Sequence, residues 1–422
     1  MGDTIGLNDG TEGTAGTGSV QLTKDWLAGF EPGPATVFGN LAVFPLRGTP
    51  RSDTKTEQAG EPAYLTLGEA LADGSFRITE QSESGSVEQL VALNDGAKPV
   101  LLLDGEELIG AKQNRIINLT VLVPARTKMK IPVSCVEAGR WDYNSAVFSE
   151  ADHFYNARNR ARKSSRVSGS MERGQGRQAN QSAVWEEVGE LRDRVAGSHS
   201  PSGALDHAYR DHSKTLNQYV GAFRVAADQV GAVFAIDGEV VGLEAFDSTR
   251  PYQSVADKLI RSYALDAIAA DRERAAREKG AHEKAATGGE DKAAAVEAMP
   301  TVSPTAAAEF IAGLSDVEAN SYPALGLGED VRFGTGDDPG ADTGGDSAGG
   351  PGARRGGGDG INEGTPNWSG GQGSARQRSS RGSRSRRGQR QSQAGSGISG
   401  GALVAEGAPL HVCAFAAEAS AG

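Results

Sequence analysis

Short apolar runs separated by turn signals dominate the chain from residue 36 to residue 148. The runs include TVFGNLAVFPL, FRITE, SVEQLVALN, KPVLLLDGEELIGA and INLTVLVPARTKMKIPVSCVE. Asn94-Asp95-Gly96, Asp104-Gly105 and Pro124 lie between these runs. Strand-like runs that are joined by such turns predict an antiparallel β unit.

Helical periodicity appears after residue 182. SAVWEEVGELRDRVAG predicts a helix with Ser182 as its N-cap. ALDHAYRDHSKTLNQYVGAFRVAA predicts more helix, and VGAVFAIDGEVVGLEAFD predicts a hairpin around Asp237-Gly238. PYQSVADKLIRSYALDAIAAD then places apolar residues on one helical face: Val255, Leu259, Ile260, Tyr263, Ala267 and Ile268. The two halves together predict an α+β fold, in which an antiparallel β-rich unit is combined with a helix-containing half.

Three stretches lack both patterns. Residues 1–22 are rich in Gly, Thr and Asp and predict a disordered tail, and residues 271–300 predict a charged linker that follows a helix. Residues 334–397 form a low-complexity Gly/Arg/Ser tract, which cannot bury enough apolar surface to offset its ordering entropy. Apolar strands recur after this tract, in GGALVAEGAPLHVCAF. We therefore predict a single domain over residues 23–333 and 398–417, with 334–397 as an insertion in one of its loops.

Composition and charge narrow the function classes. Of the 58 glycines many lie in the tail and the insertion, and the net charge of −12 argues against bulk attraction to nucleic acid or anionic lipid. Nucleic acid is expected to bind only through the Arg-rich part of the insertion, residues 376–390. No run of about 18 apolar residues predicts a membrane span, and the acidic N-terminus lacks the apolar core of a secretory signal. Two cysteines, Cys135 and Cys413, suit a reducing cytoplasm, where we expect the protein to act.

The densest polar segment runs from Asp104 to Asn118, between two apolar runs. It offers the side chains of Glu106, Glu107, Lys112, Gln113, Asn114 and Arg115. A carboxylate, an amine, amides and a guanidinium in one turn and one strand can hold a polar ligand, and arginine suits bidentate contact with phosphate. The alternative is a solvated hairpin edge with surface ion pairs.

Other polar clusters are smaller. Cys135 and Glu137 precede Arg140 and Trp141, and a buried structural cysteine is more common here than a nucleophile. The basic stretch 156–178 predicts a linker, with an anion clamp as the alternative. Glu244 and Asp247 follow the second hairpin. The six histidines show no zinc spacing, so no metal site is predicted. No phosphate-binding loop or nucleophile elbow is present, and the sequence leaves the cofactor open.

The block LLLDGEELIGAKQNRIINLTVLVPARTKMKIPVSCVEAGRW resembles the ARG and rhodanese-phosphatase-superfamily-associated protein domain, a bacterial and archaeal family without an assigned activity. The resemblance continues through QSAVWEEV, SPSGALDHAY, VGLEAFDS and KLIRSYALDAI and ends in GLGEDVRF and GGALVAEGAPLHVCAF. The family name records association with ADP-ribosylglycohydrolases and with rhodanese and phosphatase proteins. The resemblance thus implies a context in ADP-ribose or related nucleotide metabolism.

Three functions follow as expectations. The first is binding or processing of an ADP-ribose-like or other nucleotide-derived anionic ligand, held by Lys112, Gln113, Asn114, Arg115, Arg140 and Trp141. The second is acid/base or metal-assisted hydrolysis by clustered glutamates, namely Glu106, Glu107, Glu137 and Glu244. The third is a non-enzymatic module whose Arg/Gly-rich insertion binds RNA or an acidic partner.

Overall fold

The computed structural model describes residues 17–47, 62–82, 86–139, 145, 147–195, 203–288, 303–334 and 397–416. The described elements all belong to one compact unit.

Eight helices lie within the described residues. They are α1 (Thr17–Leu27), α2 (Leu67–Ala72), α3 (Ala157–Glu172), α4 (Gln181–Val195), α5 (Leu205–Asp211), α6 (Ser213–Ala222), α7 (Thr249–Gly288) and α8 (Pro304–Gly313). No helix in this part of the chain is long and apolar enough to cross a membrane.

Twenty strands accompany these helices. They are β1 (Glu31–Pro32), β2 (Thr36–Phe38), β3 (Leu41–Arg47), β4 (Leu65–Thr66), β5 (Phe76–Glu80), β6 (Gln89–Asn94), β7 (Val100–Leu102), β8 (Glu106–Gly110), β9 (Arg115–Ile117), β10 (Val121–Val123), β11 (Thr127–Cys135), β12 (Glu137–Ala138), β13 (Phe148–Phe154), β14 (Gly203–Ala204), β15 (Gln229–Ile236), β16 (Glu239–Phe246), β17 (Ala319–Pro323), β18 (Glu329–Phe333), β19 (Ile398–Ala405) and β20 (Ala408–Ala416). Nearly all pairs are antiparallel, and β4 pairs with β7 in parallel. The fold is α+β, as the sequence predicted.

The largest sheet has nine strands and buries both of its faces. Its order is β1-β3-β15-β16-β20-β19-β18-β17, with β2 beside β3. Side chains alternate between the two faces of a strand. Leu41 and Val43 therefore pack in the core that contains α4, α5, α6 and α7, whereas Ala42 and Phe44 pack in the core that contains α1 and α8. This explains why the apolar run of β3 is continuous rather than alternating.

A second β layer packs around its own core. It contains the six-stranded sheet β13-β8-β9-β11-β6-β5 and the three-stranded sheet β10-β7-β4. Their apolar residues, among them Leu90, Leu108, Ile131 and Val133, form one buried cluster with α2. β8 lies between β13 and β9 and therefore brings polar residues of three chain segments together.

The basic stretch 156–178 is mostly helical rather than a linker. Helix α3 covers Ala157–Glu172, and its Arg160 and Lys163 are completely buried. The linker expectation is wrong for this part of the chain, because partners far away in sequence neutralise these charges. Helix α4 begins at Gln181, and Asn180 rather than Ser182 is its N-cap, since Asn180 Oδ1 accepts a hydrogen bond from the Ala183 amide at 3.2 Å.

The structure describes only parts of the predicted tail (1–22), the predicted linker (271–300) and the low-complexity tract (334–397). Helix α1 begins at Thr17, inside the stretch 1–22 that predicts a tail, because its residues Val20 and Leu22 pack against the core on that side of the sheet. Helix α7 extends to Gly288 and so covers the first part of the predicted linker. Residues 1–16, 289–302 and 335–396 lie outside the described residues.

The strands on either side of the low-complexity tract pair directly with each other. Phe333 at the end of β18 lies opposite Gly400 near the start of β19. The tract therefore connects two neighbouring antiparallel strands of the largest sheet.

Candidate functional site

Strand β8 presents two buried carboxylates in succession. Glu106 and Glu107 are 2% and 1% exposed. Because successive side chains of a strand point to opposite sides, the two carboxylates enter different surroundings. The surroundings of Glu107 contain Asn114 and, through the Asn114 backbone, Glu137, both of which the sequence predicted for a site.

Glu107 forms a close pair with a histidine from the neighbouring strand. His153 Nε2 lies 2.7 Å from Glu107 Oε2, and both side chains are fully buried. The Asn114 amide donates to the other carboxylate oxygen, Oε1, at 3.2 Å. Both oxygens of Glu107 thus have a polar partner in the protein, as a buried carboxylate requires.

The second ring nitrogen of His153 contacts a carboxylate that is exposed to solvent. His153 Nδ1 lies 2.9 Å from Asp152 Oδ1, and the Asp152 side chain is 73% exposed. Tyr209 stacks on the imidazole, with ring centroids 3.7 Å apart and an interplanar angle of 16°. The Tyr209 hydroxyl donates to the Phe154 carbonyl at 2.7 Å, which fixes the tyrosine ring in place.

Burial and hydrogen bonding shift the pKa of both members of the pair. Burial raises the pKa of Glu107, although the hydrogen bond with His153 opposes that rise. Burial acts to lower the pKa of His153, but its hydrogen bonds with Asp152 and Glu107 raise the pKa overall. A carboxylate and an imidazole so close together titrate as a coupled pair.

Three chain segments meet beside this pair. The backbone N–H of Asn114 donates to Glu137 Oε2 at 3.3 Å, and the backbone carbonyl of Asn114 accepts from the Val136 N–H. Glu137 in β12 lies opposite Ala204 in β14, and α5 follows directly with the buried Asp206. The negative charge of Asp206 contributes to the raised pKa of Glu107. Glu107, Gln113, Asn114 and Glu137 are all buried in this region.

Arg115 contacts protein groups on the other side of β9. Its guanidinium is completely buried, donates to Gln113 Oε1 and to the Ser86 carbonyl at 3.4 Å, and lies 3.8 Å from Glu80. Lys112 is partly exposed, and its backbone N–H donates to Glu80 Oε1 at 3.5 Å. The role of Arg115 and Lys112 in ligand binding stays a prediction.

Glu244 lies in a separate buried network between α3 and the nine-stranded sheet. Its Oε1 accepts from Arg160 Nη1 at 2.5 Å and from the Tyr263 hydroxyl at 3.3 Å, and its Oε2 lies 3.2 Å from His411 Nε2. His411 Nδ1 in turn lies 3.0 Å from Thr120 Oγ1. Glu244 therefore neutralises an arginine, and its part in catalysis stays a prediction.

Glu106 faces α7 instead of the histidine. Its Oε2 accepts from the Leu103 N–H at 2.8 Å, and its Oε1 lies 3.8 Å from Lys258, which also pairs with Glu150. Burial raises the pKa of Glu106 from 4.5 to about 7, against the attraction of Lys258. This glutamate should therefore change its charge near neutral pH.

We expect Glu106 to make the folded state less stable as the pH rises. Because its pKa is higher in the folded chain, its favourable contribution is complete below about pH 4.5 and is lost as the pH rises through about 7. The free energy of unfolding of the wild type, relative to Glu106→Gln, should fall by about 3 kcal/mol across this range. Urea denaturation of both proteins at pH 4.5 and 7.5 measures the difference, in which titrations that are independent of Glu106 cancel. Glu190→Gln on the exposed side of α4 serves as the control, and equal pH dependence of Glu106→Gln and wild type would contradict the expectation.

Cys135 is the last residue of β11, lies opposite Arg115 of β9 and is buried, and burial raises its pKa to about 11, which suits a structural thiol. Arg140, Trp141 and the tract 376–390 lie outside the described residues. In the part of the chain that the structure describes, no three His, Cys, Asp or Glu side chains are grouped to hold a metal ion.

Sequence reasoning missed Asp152, His153, Asp206 and Tyr209. A polar Asp-His pair inside the strand-like run FSEADHFY was the available signal, since a buried strand rarely carries such a pair without partners.

Comparison with known proteins gives one match. The sequence model of a family described as "ARG and Rhodanese-Phosphatase-superfamily-associated Protein domain" matches residues 29–346. The matched range contains β8, β13 and α5 but ends before β19 and β20. No curated protein and no solved structure matches the chain.

Proposed function

The chain belongs to the ARG and Rhodanese-Phosphatase-superfamily-associated Protein domain family, and from this premise we propose that it binds and processes a small nucleotide-derived ligand by general acid/base chemistry. The ligand class is the ADP-ribose type, for which the family name is the support. The observation that carries the chemistry is the buried Glu107–His153 pair with its 2.7 Å contact. Two buried free cysteines favour the cytoplasm as its place of action.

Glu107 is the group that exchanges a proton with the reacting atom. A general acid or base works best when its pKa lies near the working pH, and burial raises the pKa of Glu107 towards that range. His153 holds one carboxylate oxygen and Asn114 holds the other, so the carboxyl plane is fixed before a ligand arrives. Such preorganisation lowers the cost of reaching the transition state.

The neighbouring groups suit the sugar part of the ligand. Glu137 can accept hydrogen bonds from hydroxyl groups, and the side-chain amides of Gln113 and Asn114 both donate and accept. Lys112, Arg140 and Trp141 remain the predicted contacts for the diphosphate and the base. Arg115 donates to Gln113 Oε1, and we assign it the task of orienting that amide.

Replacing Glu107 with glutamine tests the proposal. Glutamine keeps the size of the side chain but cannot exchange a proton, so binding of ADP-ribose should persist while product formation falls by about 100-fold or more. Calorimetry with ADP-ribose and related nucleotides measures binding, and chromatography of the nucleotides after incubation measures products.

Glu190→Gln is the matched control, because Glu190 carries the same carboxyl group on the exposed side of α4, where it pairs with Arg162 at 3.0 Å. This variant should behave like the wild type in both assays. The proposal fails when no nucleotide binds to the wild type, or when Glu107→Gln forms product at the wild-type rate.

A further inference from the structure

Three ionisable side chains form a hydrogen-bonded line from the surface to the buried site. The Asp152 side chain is 73% exposed, whereas the side chains of His153 and Glu107 are 0% exposed. The links measure 2.9 Å from Asp152 Oδ1 to His153 Nδ1 and 2.7 Å from His153 Nε2 to Glu107 Oε2. Each ring nitrogen of the imidazole therefore faces a different carboxylate.

This geometry matches that of a proton shuttle. An imidazole can accept a proton on one nitrogen while it releases another from the opposite nitrogen. We propose that Asp152, His153 and Glu107 form a relay that carries protons between solvent and the buried carboxylate. The inference rests on the proposed function, because it states how Glu107 regains or loses its proton during turnover.

The step balances in protons and charge. In the inward direction the His153 Nε2–H bond breaks and an O–H bond forms on Glu107 Oε2. His153 Nδ1 at the same time gains a proton that solvent delivers through Asp152. The imidazole stays neutral and changes its tautomer, Glu107 gains the proton that solvent lost, and the reverse transfer restores the starting tautomer.

Neighbouring side chains hold Asp152, His153 and Glu107 in position. Tyr209 stacks on one face of the imidazole and is itself held by its hydrogen bond to the Phe154 carbonyl, which restricts rotation of the imidazole. Arg261 of α7 lies 3.8 Å from Asp152. At the inner end the negative charge of Asp206 favours a protonated Glu107, and Asn114 holds the oxygen that the relay does not use.

The exchange of the His153 ring protons with water tests the relay without any ligand. We expect the exchange rate, followed by nitrogen-resolved NMR saturation transfer on the full chain, to fall on the order of 100-fold in Asp152→Ala. Asp152→Asn keeps the size of the side chain but cannot carry a proton, and it should slow the exchange similarly. Added formate should restore the rate in Asp152→Ala, because a small carboxylate can replace the missing one.

Asp193→Ala, at an exposed position of α4, is the control and should leave the rate unchanged. An Asp152→Ala rate equal to the wild-type rate would overturn the relay, and so would a slow rate that formate does not restore. Because no nucleotide is present, these results are independent of the Glu107→Gln assay. Failure of the relay can therefore be told apart from failure of the proposed function.

Discussion

Replacing Arg160 with alanine should lower the free energy of unfolding by about 3–5 kcal/mol. Arg160 is 0% exposed, and its guanidinium lies 2.5 Å from Glu244 and 3.5 Å from Asp104. Both carboxylates are buried as well, so the variant leaves negative charge in the interior without its partner. Urea denaturation at neutral pH measures the change.

Two further variants separate this effect from a loss of helix. Arg162→Ala on the same helix removes a pair with Glu190 whose members are 30% and 51% exposed, and it should cost less than about 1 kcal/mol. The double variant Arg160→Ala/Glu244→Ala should cost less than the sum of its two single variants, since neither charge is then left alone. A loss in Arg160→Ala no larger than in Arg162→Ala would show that the pair contributes nothing.

The same ion pair explains why helix α3 was not predicted from the sequence. The stretch contains many charges and few apolar residues, a composition that is typical of a linker. The partner that permits burial of Arg160, Glu244, lies 84 positions away. Lys163 likewise depends on Asp104, at 3.0 Å, and on two carbonyl groups near Asn118. No local pattern contains such information.

Elements whose residues interact locally were predicted well. The hairpin around Asp237-Gly238 is present, because β15 and β16 meet at that turn. The apolar face of α7 is also confirmed, with Val255, Leu259 and Tyr263 among its buried residues. Period and turn chemistry determine these features, and both can be read from adjacent positions.

The candidate site was predicted in part. Glu107 and Asn114 were recognised because an apolar strand rarely carries so many polar groups, and the structure joins them to Glu137. His153 and Asp152 were missed because their position depends on the pairing of β13 with β8, about 40 residues apart. Pairings of this length are set by the packing of the whole sheet.

Gly105→Ala is expected to destabilise the chain by about 2–5 kcal/mol, as the sum of backbone strain and overpacking. Gly105 has a φ of +81°, and a Cβ there would come within 2.7 Å of the Arg160 side chain. The residue cannot move aside easily, because its N–H donates to Ile117 and its carbonyl accepts from Tyr155. The substitution therefore displaces the arginine that neutralises Glu244. The free energy of unfolding from urea denaturation is the measurement.

Gly74→Ala separates the two contributions. Gly74 has a similar φ of +74°, but a Cβ there meets no atom within 4 Å, so this variant should show the backbone strain alone, about 1–2 kcal/mol. The excess in Gly105→Ala measures the collision with Arg160. That excess should shrink when Arg160→Ala is the background, since the colliding atoms are then absent. Equal losses in Gly105→Ala and Gly74→Ala would show that α3 can shift without cost, and the buried charges would then not hold this helix against β8.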